Sequence, residues 1–336
     1  MNTLSLPHVA LIGCGGTITS LGTSPLDVMD YPEYGTKLSV HEVLTRVPET
    51  KAVAQIMQVP FRQIGSPAIT MSDWFELRAT LRQKAREHPD LSGFVILHGT
   101  ATLEETAFFL DLTLAIEQTV VVVGAQRPLS AVSSDAQANL ISALRVAGAP
   151  ESRGRGVLVV LNDEIHAARD VTKTSTTRLQ TFRSNDYGAL GVCDGDGIHF
   201  YRWTDRSAPS PLDLSVLPDS VETPRVDVLY SYVGADRVLV DAAVAAGARG
   251  LISAGTAPGM PVKAEMPGYE AALEAGVVLV QCSRAQNGRV MNRRALGERG
   301  WIAGGALNPQ KSRILLALGL SVTNDRETLR ALFASY

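Results

Sequence analysis

Phe94-Val95-Ile96-Leu97-His98-Gly99-Thr100-Ala101-Thr102 is the stretch on which the reading of this chain turns. Four consecutive apolar residues describe a strand buried on both faces, the pattern of a parallel sheet covered by helices. The strand runs directly into glycine and hydroxyl residues. Nucleophiles and proton carriers therefore stand at its carboxyl end, where open α/β sheets bind their ligands. The arrangement recurs twice. Gly13-Cys14-Gly15-Gly16-Thr17-Ile18-Thr19 ends the run that starts at His8, and Asp170-Val171-Thr172-Lys173-Thr174-Ser175-Thr176-Thr177 follows the run Val157 to Leu161. Threonines gathered with a lysine suit acyl transfer at an amide carbonyl. A hydroxyl near its ordinary pKa is a poor nucleophile, and a lysine desolvated beside hydroxyls has its pKa pulled down far enough to accept the proton.

Outward from these turns, strands are expected at His8 to Gly13, Phe94 to His98, Thr119 to Gly124, Val157 to Leu161, Val226 to Tyr230, Gly250 to Ala254 and Val277 to Cys282. Helical spacing of apolar residues covers Trp74 to His88, Glu105 to Ile116, Asp135 to Ala147 and Gly268 to Ala275. The alternation predicts an α/β protein, and 336 residues exceed one ordinary core. Ser207 to Pro224 has no periodicity and carries Pro209, Pro211, Pro218 and Pro224, so it is read as a linker. The expected domains are a larger one over 1–206 and a smaller one over 225–336, joined by 207–224.

A hydrophobic content of 45% with 19% charged residues supports a folded core. The apolar runs are strand length, which predicts no membrane span, and Met1 to Pro7 lacks a basic n-region, which predicts a cytoplasmic protein. A formal charge of −3 with no basic run longer than a pair gives no footprint for nucleic acid. Cys14, Cys193 and Cys282 are read as buried thiols, and the six histidines lack ligand spacing, so neither disulfide nor metal is expected. Two glycine motifs fail. Gly13 and Gly15 begin a dinucleotide fingerprint, but Ile18 occupies the place of its third glycine, and there is no phosphate-binding G-x-x-x-x-G-K-[ST]. The Gly15-Gly16 pair instead suits a turn that brings backbone amides against a substrate carbonyl.

Five segments in order, the strand with Gly15-Gly16-Thr17-Ile18, the strand with His98-Gly99-Thr100, Val123-Gly124-Ala125-Gln126-Arg127-Pro128, Asn162-Asp163 through Arg169-Asp170-Val171-Thr172-Lys173-Thr174, and Leu307-Asn308-Pro309-Gln310-Lys311, together resemble the bacterial-type L-asparaginases and glutaminases. The resemblance implies a larger domain with a mostly parallel sheet, a smaller flavodoxin-like α/β domain, and a homotetramer built as a dimer of dimers. It implies a small amide as substrate and no cofactor. In that family a threonine of the first turn attacks the side-chain amide, assisted by a loop tyrosine. Thr17 matches the threonine, and Tyr31 is preferred to Tyr34 for the tyrosine. Thr100 matches the second threonine, Lys173 the lysine that handles its proton, and Ser66, in Gly65-Ser66-Pro67, the serine that holds the substrate carboxylate. Gly65, Gly99, Ala101 and Arg293 are further candidates for contact with substrate. His98 and Thr102 are read as structural, and Glu104-Glu105 as acidic residues favouring the next helix's dipole.

The chain departs from the pattern where the family recognises an amino acid. The aspartate that usually lies between the two threonines, where it binds the α-ammonium and sits beside the lysine, is Ala101 here. Pro67 replaces a glutamine, and the asparagine of the second domain's glycine-rich turn has no counterpart in Gly255-Thr256-Ala257-Pro258-Gly259-Met260. The acidic residue contributed by a neighbouring subunit falls near Arg293 and Arg294. Losing a buried charge-assisted contact costs on the order of 2–4 kcal/mol. The expectation is therefore an amidohydrolase acting on the monoamide of a small dicarboxylic acid or a related amide. The alternatives are a true L-asparaginase, with Asp73 or Glu33 as the replacement acid, and a ligand-binding protein that has kept the fold.

Overall fold

The computed structural model describes residues 5–204 and 210–336. The chain forms two compact units that part after Thr204. In the first unit, eight strands form one sheet in the order Gly197–Phe200, Gly191–Asp194, Glu164–Ala167, Val157–Leu161, Thr119–Val123, Gly93–Leu97, His8–Gly13, Gln55–Val59. The five from Val157–Leu161 to Gln55–Val59 are parallel and in register, with Leu11 opposite Val95 and Val95 opposite Val121. Beyond them the sheet turns antiparallel. The reversal is made by Asn162 and Asp163, both at positive φ (52° and 63°). Asn and Asp tolerate that conformation, and a two-residue turn of this kind matches the twist of the strands it joins.

Val9, Leu11, Val95, Leu97, Val121, Leu158 and Val160 pack on one face with Leu140 and Leu144 of helix Ala136–Gly148. Helices Met71–Glu87 and Leu103–Thr113 pack against each other through Trp74, stacked on Phe109 at 5.3 Å, and Phe75, edge-on to it at 5.1 Å. Each fully buried Val, Leu or Phe contributes about 1.5–3 kcal/mol. Helix Met71–Glu87 starts at a capping box: the Asp73 amide donates to Thr70 Oγ1, and the Asp73 carboxylate accepts from the Thr70 amide at 2.8 Å and hydroxyl at 2.6 Å.

The second unit is a four-stranded parallel sheet whose order follows the chain: Val226–Tyr230, Gly250–Gly255, Val278–Ser283, Ile302–Ala303. Helices Val238–Ala245 and Met266–Glu274 enclose Val240, Leu251, Tyr269, Leu279 and Trp301, while Pro309–Leu320 lies against the first three strands. The stretch expected to be a linker is not a free tether. Its described part holds a 3₁₀ turn at Leu214–Val216 and buries Leu214 and Leu217, because leucines spaced among prolines have an apolar surface to cover. Ser207, Ala208 and Pro209 lie outside the described residues, as do Met1 to Leu4.

Candidate active site

The carboxyl ends of the adjacent strands His8–Gly13 and Gly93–Leu97 carry two turns that touch. The Cys14 amide donates to the Leu97 carbonyl at 2.9 Å, extending the pairing one residue past the strand. At Gly16, φ is +97°, and a Cβ placed there would lie 2.3 Å from the Gly99 Cα. At Gly99 a Cβ would lie 2.5 Å from Ser66 Oγ. Only glycine permits either approach. Gly16, Gly99 and the buried Ser66 thus form one close-packed floor, and the Thr102 hydroxyl locks it by donating to the Ser66 carbonyl at 2.8 Å.

Two polar pairs flank this floor, one of two hydroxyls and one of a hydroxyl with an amine. Thr17 Oγ1 and Tyr31 Oη are 2.7 Å apart. Tyr31 opens a one-turn helix, Tyr31–Tyr34, and its carbonyl accepts from Lys37 Nζ at 3.2 Å. Tyr34 is 77% exposed, and the tyrosine that meets Thr17 is Tyr31. Burial pushes the Tyr31 phenol above its ordinary pKa, with the Thr17 hydrogen bond opposing. A phenol held neutral in this way suits passing a proton along rather than acting as a phenolate base.

Lys173 Nζ donates to Thr100 Oγ1 at 2.8 Å. Burial draws the Lys173 ammonium below its ordinary pKa, and the negative charge of Glu104 opposes that fall. The lysine sits on a two-residue strand, Thr172–Lys173, paired antiparallel with Phe182–Arg183. The hydroxyl run around Lys173 has a different purpose from the one its composition suggests. Thr174 donates to the Thr181 carbonyl, Thr181 donates to the Ser175 carbonyl at 2.6 Å, and the Ser175 amide donates to Thr181 Oγ1. These hydroxyls close the hairpin that carries the lysine.

His98 is fully buried at the end of the central strand. Its Nδ1 lies 2.8 Å from the Gly99 carbonyl and its Nε2 2.9 Å from Thr106 Oγ1, which also accepts from Trp74 Nε1 at 2.7 Å. One proton assignment satisfies every group: Trp74 donates to Thr106, Thr106 to His98 Nε2, and His98 Nδ1–H to Gly99. Burial lowers the His98 pKa to about 4, so the ring is neutral at ordinary pH and pins the Gly99 carbonyl.

Other candidates are not brought into these pairs. Burial pushes Cys14 up to about 12, which makes it an inert thiol, and Cys193 and Cys282 are also buried and free. Asp73 is committed to the helix cap and to Arg62, 2.7 Å away, so it is no replacement acid. Gly65 is exposed, and a Cβ at that position would meet nothing within 4 Å, while Ala101 is exposed next to the buried Thr100. Arg293 lies in the second unit, exposed, with Nη1 2.8 Å from Met260 Sδ. Arg294 pairs with Glu298 at 2.7 Å on the surface. Asp194, Asp196 and His199 are near enough to share a cation, but they are exposed on a hairpin. Glu104 does more than favour a helix dipole. It is buried, and Oε1 accepts from the Thr172 hydroxyl at 3.1 Å and the Lys173 amide at 3.3 Å. Nothing in sequence spacing links positions 104 and 173.

Residues 8–206 match the family model described as "Asparaginase, N-terminal", and residues 225–333 the "Glutaminase/Asparaginase C-terminal domain". L-asparaginase 2 of Bacillus subtilis (strain 168) is 38% identical over 331 residues, 98% of this chain and 87% of that protein. A probable periplasmic L-asparaginase of Haemophilus influenzae is 37% identical over 100% of this chain and 95% of its own length. Among solved structures, the probable cytoplasmic L-asparaginase of Campylobacter jejuni superposes with a TM-score of 0.89 at 32% identity, covering 98% of this chain and 100% of that one. With both domain models matched in order and relatives aligned along nearly the whole length, the chain belongs to the asparaginase family of amide-bond hydrolases.

Proposed function

We propose that this enzyme hydrolyses a small carboxamide that carries no α-ammonium group, the monoamide of a dicarboxylic acid being the best fit. The observation that carries the reading is the survival of the Thr17–Tyr31 and Thr100–Lys173 pairs beside an open position at Ala101. Thr17 Oγ1 attacks the amide carbon as its proton passes to the Tyr31 hydroxyl, which hands its own proton on to the amide nitrogen. The oxyanion forms against amides of the Gly15-Gly16 turn or of the turn after Gly99. The C–N bond breaks, ammonia leaves with the transferred proton, and an ester joins the acyl group to Thr17. Water then attacks the ester as its proton passes to the Thr100–Lys173 pair, the acyl–Oγ1 bond breaks with that proton returned to Thr17, and the free acid is released. Ser66 and the Gly65 and Gly99 backbone hold the substrate carboxylate. Ala101 contributes no negative charge, and Arg293 from a neighbouring copy meets a second carboxylate. A ligand ammonium has no partner there, at a cost on the order of 2–4 kcal/mol.

A second reading is a true L-asparaginase, which the names and 37–38% identity of the relatives favour. Ammonia release over asparagine, glutamine, succinamate and malonamate separates the two, with Thr17→Ala as the control. Turnover of the deaminated amides, abolished in Thr17→Ala, is expected. Hydrolysis of asparagine at micromolar KM supports the second reading instead.

The assembly follows from the same reading. In the second unit Tyr230, Tyr232, Val233, Val238 and Leu239 are all more than half exposed, an apolar stretch suited to burial against another copy in a homotetramer. The three free cysteines and the Campylobacter neighbour, named a probable cytoplasmic L-asparaginase, support a cytoplasmic location, against the Haemophilus relative named a probable periplasmic L-asparaginase. Among the described residues, no helix is long and apolar enough to cross a membrane.

A further inference from the structure

From the geometry around the lysine hairpin, we infer that the Glu104 carboxylate is the fixed counter-charge of Lys173, a positioning residue that supplies the negative charge which no side chain supplies at position 101. The inference deepens the reading of Lys173 as a proton carrier. A carboxylate placed only to favour a helix dipole has no reason to leave water, yet Glu104 is 6% exposed in the first turn of Leu103–Thr113. Burying a carboxylate is costly unless hydrogen bonds and opposite charge compensate it. Its Oε1 receives the Thr172 hydroxyl and the Lys173 main-chain amide, so the acid grips the strand from which the lysine extends.

Among the described residues, Glu104 is the group whose negative charge acts on Lys173. Thr100 offers a neutral hydroxyl from the turn after the central strand, and Phe182 stands opposite Lys173 on the paired strand. Arg183 lies opposite Thr172 and is exposed, and Asp170, upstream, is engaged by Arg169 at 2.7 Å. Glu104 is thus the acid set against the lysine. It opposes the desolvation that favours the neutral amine, so that the amine can both take up and release a proton during one turnover.

The chain has six lysines, at 37, 51, 84, 173, 263 and 311, few enough for each side-chain amine to be followed by NMR in the full-length enzyme labelled at lysine. Lys173→Met assigns the signal by its loss. The expected result is a Lys173 titration midpoint lower in Glu104→Gln by on the order of one pH unit, the usual scale for one nearby carboxylate. Thr172→Val, which removes a hydrogen bond and no charge, should leave the midpoint near that of the parent. Glu104→Asp draws the charge back by one methylene; it should lower the midpoint less and serves if the Gln variant does not fold. An unmoved midpoint in whichever variant folds overturns the inference. The turnover of Lys173→Met is a separate test: wild-type turnover there would remove Lys173 from the chemistry without altering the titration result.

Discussion

Individual side chains divide sharply between those whose partners are fixed locally and those whose partners arrive from elsewhere in the chain. Thr17 and Thr100 are legible in the sequence because each follows an apolar strand, and such strand ends converge in an α/β sheet. Lys173, by contrast, is reached only after the antiparallel strand Glu164–Ala167, whose mixed residues hide it. Tyr31 is told from Tyr34 by its contact with Thr17 and by the exposure of Tyr34, neither of which the sequence shows. The contact of Glu104 with Lys173 cannot be read from the sequence, since the helix that carries the acid and the hairpin that carries the lysine lie 69 positions apart. His98 gives a prediction that depends on pH. Its ring is protonated with an ordinary value near 6.5 in the unfolded chain and only near 4 in the folded one. Between those values the unfolded state binds the extra proton, so stability falls as the pH drops, by up to about 3 kcal/mol at pH 4 and below. Denaturant melts of the wild type over that range should show the loss, and the same melts of His98→Gln should lack that step. Equal slopes would mean that another group dominates.

Strands and turns are more readable than the helices and hairpins around them. Continuous apolar runs mark the parallel strands, but Gln55–Val59 and Glu164–Ala167 escape because mixed polar residues break the run at or near the sheet's edge. Helix Pro309–Leu320 enters the sequence reading as a motif and not as a helix. Its start signals are nonetheless both present: Asn308 accepts from the Lys311 amide, and Pro309 occupies the first helical position. The hydroxyls of the lysine hairpin mislead in detail, since threonines and serines bond to backbone as readily as they serve chemistry. The packed floor of turns makes a contrast that can be measured. Gly99→Ala drives a methyl into Ser66 Oγ and should cost about 1–3 kcal/mol and most of the activity. Gly65→Ala meets nothing within 4 Å at ordinary φ and should change stability by less than about 0.5 kcal/mol. Thermal melts and turnover of the two variants check this, and an inert Gly99→Ala would refute the close approach.

For the whole molecule, the two-unit division and the α/β class follow from length and alternation, while assembly has no sequence signal beyond resemblance. The proposed homotetramer, with the exposed apolar stretch from Tyr230 to Leu239 buried in it, predicts a particle of four chains by light scattering. Val233→Asp, at a position 98% exposed, should shift it to smaller species without unfolding the chain. A monomeric wild type would reject the tetramer. The proposed enzyme keeps a hydrolytic apparatus in a pocket that has lost its grip on an ammonium ion. The decisive measurement is the ratio of kcat/KM for succinamate to that for asparagine, in the wild type and in Ala101→Asp. The ratio should favour succinamate in the wild type and fall by roughly thirty-fold or more when the carboxylate is supplied. A wild type that prefers asparagine, with a ratio unmoved by Ala101→Asp, would contradict it.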